Sequence, residues 1–365
     1  MPGQLRLLPM GEEAPMTTPA LNGLSRLGSF LLCAALAAPC GLCRQSGAPP
    51  QNPDTTTLDS DGTAHITRVI GIPTTLSPEA QAFLKTGLAW APAAGSAESQ
   101  KLIDRAREIY PVDIEEKVIG GVKTKVVTPK NPVPANQHRV LLCIHGGGFV
   151  TDSGSFLESI PIASLTGTMV VAVDYRLTPK FRFPAQVDDV IAVYRELLKT
   201  YKPRNIGMYG TSAGAILTAE TAVRLGQLKL PLPAALGFFS GMADFSRIGD
   251  SSYYFGVPGL AGARVPRGDG AAGAYLGGLD LKDPVASPMY ADLKGFPPTL
   301  CMSGTRDMLL SGTANFHRAL LLAGVDAELV VYDAMPHAHW YMIEIPEAKE
   351  ALEVQARFLD RHVGR

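Results

Sequence analysis

The sequence predicts an α/β fold, a mostly parallel sheet with helices on both faces. Three observations carry that expectation. Uninterrupted apolar runs such as Val140-Leu-Leu-Cys-Ile144 and Met169-Val-Val-Ala-Val173 read as strands buried on both sides. Helix-forming segments alternate with such runs through the second half of the chain. Glycine-rich turns follow two of the runs directly, at His145-Gly-Gly-Gly-Phe149 and Gly210-Thr-Ser-Ala-Gly214.

The elements follow in order. Leu76-Ser-Pro-Glu opens a helix towards Leu84, with Ser as cap and Pro in the first turn. A second helix covers about Ser99 to Tyr110 and is stopped by Pro111. Glu116 to Ile119 and Val122 to Val127 flank Gly120-Gly121, a hairpin signal. After the Val140 and Met169 strands come a helix from Val187 to Tyr201, a strand from Ile206 to Tyr209 and a helix from Ala213 to Leu225. Strands at Ala234 to Phe239, Pro298 to Met302 and Leu329 to Tyr332 follow, with a helix near Ala314 to Leu322 between the last two. An amphipathic helix from about Glu347 to His362 closes the chain. Gly241 to Asp280 interrupts this rhythm and is too long for a simple loop, so it is expected to form part of a lid.

Composition excludes several function classes. The 365 residues suffice for one large α/β domain, and no internal repeat is visible. With 18% charged residues and a net charge of −1, no global field would recruit nucleic acid or an anionic membrane. Neither a basic run nor a base-stacking motif is present, so no nucleic-acid partner is expected. Five cysteines (Cys33, Cys40, Cys43, Cys143, Cys301) are too few and too clustered for a disulfide framework. Cys143 and Cys301 lie in apolar runs, as buried strand residues do. Cys40-Gly-Leu-Cys43 has metal spacing but no second pair to complete four ligands, so no metal is expected.

Residues 1–60 differ from the rest, being rich in Pro, Thr and Gly. One apolar island, Leu27 to Ala38, follows Arg26 and contains Ala35-Leu-Ala37, a small-residue cleavage pattern. It is too short to span a bilayer, so no integral membrane span is expected. A secretory signal, and hence export, is preferred over a disordered tail in a cytoplasmic protein. Gln51 to Asp61 reads as a linker.

The chemistry centres on Ser212. A chance Gly-x-Ser-x-Gly arises in such a chain with probability roughly one in five, so the pentapeptide alone is weak. Its setting adds weight, because a nucleophile elbow needs a sharp strand-to-helix bend, with Gly210 and Gly214 sparing a Cβ clash. His145-Gly146-Gly147-Gly148 is much rarer, with a chance probability below about one in a hundred. Glycines after a strand suit a loop whose amides face a cavity, and no phosphate-loop signature follows them.

A serine hydroxyl needs a base, and the base an orienting carboxylate, in chain order Ser, Asp or Glu, His. His317 and His362 fall within helices, whereas His337 and His339 follow a strand end, where open α/β sheets place their sites. His337 is preferred to His339. Asp307 directly follows a buried-strand pattern, 30 positions before His337, and Asp333 is its main rival.

Further blocks make the resemblance specific: Asp174-Tyr-Arg-Leu-Thr-Pro179, Phe183-Pro184, Asp188-Asp189 and Asp283-Pro-Val-Ala-Ser-Pro288. With the two glycine motifs, these resemble the bacterial hormone-sensitive-lipase family of esterases, in its Gly-Thr-Ser-Ala-Gly branch, over about residues 76 to 360. The resemblance implies an α/β-hydrolase of eight strands in residues 61–365. It also implies a helical cap from about 70–112 plus an insertion at about 241–280. It further implies hydrolysis of small-molecule carboxylic esters without a cofactor. By the family pattern Ser212 is the nucleophile, Asp307 the acid, His337 the base, and Gly147, Gly148 and Ala213 the oxyanion donors. A homodimer is left open. The chain departs from the family in Ala338 and His339 after the base, where Gly and Phe are usual, and in lacking Pro after the acid. Asp174 is expected to help hold the His145 loop. Trp90, Tyr253, Tyr254, Phe255 and Trp340 are expected either to line an apolar pocket or to pack lid against core. Short- or medium-chain acyl esters are the expected substrates, with lactones, aromatic diesters or amides as alternatives by the same chemistry. A ligand receptor on the same fold would be expected to lack the base, which is present here.

Overall fold

The computed structural model describes residues 55–67, 71–85, 95–254 and 271–364. The chain divides into two units, Met1–Val69 and Ile70–Arg365. In the first, β1 (Thr55–Leu58) and β2 (Ala64–Thr67) pair as an antiparallel hairpin. Thr55–Leu58 thus forms a strand within the stretch expected to be a linker. The Leu27 to Ala38 island and the Cys40/Cys43 pair lie outside the described residues.

The second unit is built on a sheet of eight described strands. These are β3 (Val112–Ile119), β4 (Val122–Pro129), β5 (Val140–Ile144), β6 (Met169–Val173), β7 (Ile206–Thr211), β8 (Ala235–Phe239), β9 (Thr299–Arg306) and β10 (Ala327–Pro336). Their spatial order is β10-β9-β8-β7-β5-β6-β4-β3, parallel from β10 to β6, with β4 and β3 antiparallel at one edge. This is an α/β-hydrolase fold, mostly parallel as the apolar runs predict.

Both faces of the sheet are covered. Along β5 the side chains alternate, so that Val140, Leu142 and Ile144 enter one core and Leu141 and Cys143 the other. The first core is closed by α4 (Ala185–Leu197), α5 (Ala213–Gln227) and α8 (Leu310–Leu322). The second is closed by α2 (Ala97–Ile109), α3 (Ser155–Thr166) and α9 (Pro346–His362). A smaller cluster joins α1 (Pro78–Lys85), through Ala80 and Leu84, to Ala334 and Met335 at the end of β10. Within the expected insertion, α6 (Ser251–Tyr254) and α7 (Ala271–Leu276) are described, and 255–270 lie outside the described residues.

Two differences from the expected elements bear on the site. Helix α3 falls where the sequence pattern marks none. It carries Pro161 in its interior and is buried almost all round, so it shows neither a clean apolar stripe nor a Pro-free run. Strands β9 and β10 run four residues past their expected apolar ends, to Arg306 and Pro336, and so deliver Asp307 and His337 directly from strand ends.

Candidate active site

Three loops at the carboxyl ends of neighbouring strands meet at Ser212. In the sheet register Ile144 lies opposite Gly210, which sets the glycine loop after β5 beside the turn after β7. Ser212 caps α5 with φ 58° and ψ −121°, a conformation that costs a non-glycine residue about 1–3 kcal/mol and must be imposed by its surroundings. Its N–H donates to the Phe239 carbonyl at 2.9 Å. The bend is tight enough that a Cβ on Gly214 would lie 1.8 Å from the Ile144 carbonyl oxygen, and one on Gly210 2.4 Å from the same atom. Only glycine fits at either position.

The glycine loop is equally constrained. Gly147 has φ 115°, and a Cβ there would come within 1.9 Å of the Thr151 carbonyl oxygen. A Cβ on Gly146 would lie 3.3 Å from the Ser212 Cβ, so loop and elbow touch. His145 is fully buried beneath the loop, stacked on Tyr175 at 4.1 Å, and its Nδ1–H donates to the Gly146 carbonyl at 2.7 Å. Burial lowers its pKa and keeps the ring neutral. The Tyr175 hydroxyl donates to the His145 carbonyl at 2.8 Å. The loop is therefore held by Tyr175, while the N–H of neighbouring Asp174 donates to Lys123 of β4.

His337 and Asp307 complete a hydrogen-bonded chain. The Ser212 hydroxyl lies 2.9 Å from His337 Nε2, and His337 Nδ1 lies 2.8 Å from Asp307 Oδ1. The carboxylate on one side and the hydroxyl on the other assign the proton to Nδ1 and leave Nε2 as acceptor. His337 is 7% exposed and Asp307 wholly buried. Burial alone would raise the Asp307 pKa. The His337 imidazole, the Ser240 hydroxyl and the Leu309 N–H outweigh it and hold the acid below its ordinary value.

Asp307 is saturated with donors. Oδ1 also accepts the Leu309 N–H at 2.8 Å, and Oδ2 accepts the hydroxyls of Ser303, at 2.7 Å, and Ser240. The Ser240 hydroxyl oxygen in turn accepts the N–H of Ala338, beside the imidazole, at 3.3 Å. Sequence reasoning missed Ser240 and Ser303. Ser240 directly follows a buried strand run, and that position was the available signal.

The rival residues lie elsewhere. Asp333 is exposed and accepts from Thr305 at 3.3 Å. His317 faces the Ala327 carbonyl, and His362 packs on Phe358. His339 is buried between Tyr332 and Trp340 with no well-formed hydrogen bond to either ring nitrogen. Desolvation lowers its pKa to about 4, a fall that the Asp307 charge and the Pro336 backbone only partly offset. Trp340 is a core residue, edge-on to Phe239 and donating to Thr211 Oγ1 at 3.1 Å. Tyr253 and Tyr254 are exposed, and Trp90 and Phe255 lie outside the described residues. Cys143 and Cys301 are buried free thiols. Among the described residues no cluster of His, Cys, Asp and Glu could hold a metal, and no helix is long and apolar enough to cross a membrane.

Known proteins are similar to this chain in sequence and fold. A family model described as the α/β-hydrolase fold matches residues 141–341, from β5 to the segment after the base. An acetyl-hydrolase of Streptomyces hygroscopicus is 32% identical over 293 residues, covering 76% of this chain and 94% of that relative. The crystal structure of one esterase superposes with a TM-score of 0.70 at 33% identity, covering 81% of this chain and 98% of its own. The crystal structure of an esterase from the bacterial hormone-sensitive lipase family gives a TM-score of 0.64 at 31% identity, covering 74% and 100%. The chain belongs to the α/β-hydrolase family, among the esterases of the bacterial hormone-sensitive-lipase group, and is an ester-hydrolysing enzyme.

Proposed function

We propose that Ser212 is the nucleophile of a two-step acyl transfer on short- to medium-chain carboxylic esters, with His337 as general base and Asp307 as its orienting acid. The observation that carries this reading is the continuous chain from Ser212 Oγ to His337 Nε2 at 2.9 Å and from Nδ1 to Asp307 at 2.8 Å. As Oγ attacks the ester carbonyl, the hydroxyl proton passes to Nε2 and the carbonyl π electrons move onto oxygen. Asp307 stabilises the imidazolium so formed. The amides of Gly147, Gly148 and Ala213 receive the oxyanion; removing one such donor costs about 100- to 1,000-fold in turnover. Collapse of the intermediate breaks the ester C–O bond, and the departing alkoxide takes the proton from His337. Water then repeats the sequence on the acyl-enzyme and releases the acid and free Ser212.

The cap belongs to this proposal. Helix α1 packs on Ala334 and Met335 just before the base, and Ser251 and Ser252 of α6 donate to the Met308 carbonyl beside the acid, at 2.8 and 2.7 Å. Helices α1 and α6, the described parts of segments 70–112 and 241–280 in these contacts, thereby border the loops that carry His337 and Asp307, where a cap would limit acyl length. The name of the acetyl-hydrolase relative supports a short acyl group.

One kinetic comparison tests the whole reading. The parent enzyme is expected to cleave p-nitrophenyl acetate and butyrate much faster than the palmitate ester, and Ser212→Ala to lose about 10,000-fold or more in kcat. A Ser212→Ala protein within tenfold of the parent would overturn it.

A further inference from the structure

One buried carboxyl near the site takes no part in the reaction described above. Glu158, in the first turn of α3, is 2% exposed. Its Oε1 accepts the Gly146 N–H at 3.2 Å and the Tyr341 hydroxyl, and the Thr211 side chain faces the same carboxyl. These neighbours belong to three different stretches of chain. Gly146 opens the glycine loop, Thr211 immediately precedes the nucleophile, and Tyr341 lies four residues beyond the base. Thr211 is tied a second time by the Trp340 indole N–H. The packing leaves no slack: a Cβ on Gly154 would lie 2.1 Å from the Tyr341 hydroxyl and 2.6 Å from Glu158 Oε1. A Cβ on Gly146 would lie 3.4 Å from that same hydroxyl.

A carboxyl in such a place is costly, and an apolar side chain of similar size is often as stable or more so. What an apolar side chain cannot do is accept donors from separate stretches of chain at once. We propose that Glu158 is a positioning residue whose carboxyl fixes the glycine loop, the elbow and the base loop at one mutual spacing, so that the loop amides and the His337 imidazole address the same substrate carbonyl. This rests on the reading of Gly147 and Gly148 as oxyanion donors, and Glu158 acts only through Gly146, Thr211 and Tyr341.

The charge state follows from the surroundings. Burial pushes the Glu158 pKa up to about 8, against the lowering effect of the Tyr341, Gly146 and Thr211 hydrogen bonds. The other titratable groups facing it are the Cys143 thiol on β5, 4.0 Å from Oε2, the Tyr209 hydroxyl on β7, which donates to the Glu158 carbonyl, and Asp152 with its Lys125 partner. At pH 7 the carboxyl is therefore protonated. Oε1 accepts the Gly146 and Tyr341 donors, which leaves Oε2, facing the Cys143 sulfur, as the oxygen able to carry the proton. A glutamine reproduces that pattern, with Oε1 as acceptor and an N–H in place of the acid proton, whereas leucine removes the acceptor.

The test uses Glu158→Gln, Glu158→Leu and Tyr341→Phe, with p-nitrophenyl acetate as substrate and a p-nitrophenyl phosphonate as covalent titrant of folded sites. Glu158→Leu should lower both kcat/KM and the phosphonate inactivation rate about tenfold or more per folded site, the worth of a buried hydrogen bond to a carboxyl group. The parent is expected to change activity around pH 8, and Glu158→Gln should stay within threefold of it at pH 7 and lose that change. Tyr341→Phe should cost several-fold alone and almost nothing when added to Glu158→Leu, as two members of one network do. Folded Glu158→Leu with the parent's rates, or full additivity with Tyr341→Phe, would overturn the proposal. Should the leucine variant not fold, Glu158→Gln and Tyr341→Phe decide it. An unchanged pH profile in the former together with an unchanged rate in the latter counts against it. If Ser212→Ala is inactive while these variants behave as the parent, the nucleophile assignment stands and the role given to Glu158 falls.

Discussion

The two halves of the site are held in different ways. Around Ser212, position is set by exclusion: Gly210 and Gly214 let backbone approach backbone so closely that the Ile144 carbonyl oxygen would meet any side chain there at 2.4 Å or less. Around Asp307 and His337, position is set by donors: Ser240, Ser303, Leu309 and His337 all converge on one carboxylate. The elbow is a steric device and the acid–base pair a polar one. Damage should follow suit, with the first half failing all at once and the second by degrees.

The largest effect is therefore expected on the steric side. Gly214→Ala sets a methyl group against backbone that cannot retreat, in the layer between β5 and α5. A loss of about 3 kcal/mol or more is expected, read as a thermal midpoint lower by roughly 6–12 °C or as failure to recover soluble protein. A stable, active Gly214→Ala enzyme would mean that the elbow is looser than the distances indicate.

The polar side should degrade step by step. Ser240→Ala and Ser303→Ala each remove one hydroxyl from Asp307 Oδ2, and a hydrogen bond to a charged group is worth about 1.5–3 kcal/mol. Each is expected to lower kcat/KM by about tenfold to a hundredfold with little change in fold, and the pair together more than the product of the two, because each single variant leaves the other donor in place. Steady-state kinetics with circular dichroism separates these cases. Equal, independent losses would show that the two hydroxyls do not share one carboxylate.

The smallest effect concerns His339, which belongs to the polar half by sequence but not by contact. Its folded pKa, about 4, lies below the unfolded value of about 6.5. A depressed base of this kind contributes stability that is intact above pH 6.5 and is lost as pH falls towards 4, because the unfolded chain binds the proton more readily. His339→Phe removes that dependence. Thermal scans should show the variant gaining relative to the parent at pH 5 compared with pH 8, by a few degrees. A pH-independent difference would contradict the desolvated state of the ring.

This contrast also explains what the sequence disclosed. Glycines required by close approach leave a fixed, rare spelling, so the elbow and the His145 loop could be read directly. Asp307 and His337 could be singled out as candidates because the chain order of a triad and the strand ends restrict the choice, and the fold brings the two into hydrogen-bond contact. Ser240, Ser303, Glu158 and Tyr341 were not, since a serine or glutamate gains its role only from where the fold brings it. Helix α3, which carries Glu158, was hidden by Pro161 and by burial on nearly every side, so neither the helical period nor a clean start was visible. Of the two expectations for Trp340, pocket lining or packing, the structure supports packing: the ring is buried edge-on to Phe239.

Covalent trapping tests the central claim most directly. After treatment with a p-nitrophenyl phosphonate, peptide mass mapping should find one adduct, on Ser212, formed in proportion to the esterase activity lost. Complete inactivation with Ser212 unmodified, or full activity with Ser212 modified, would contradict the account.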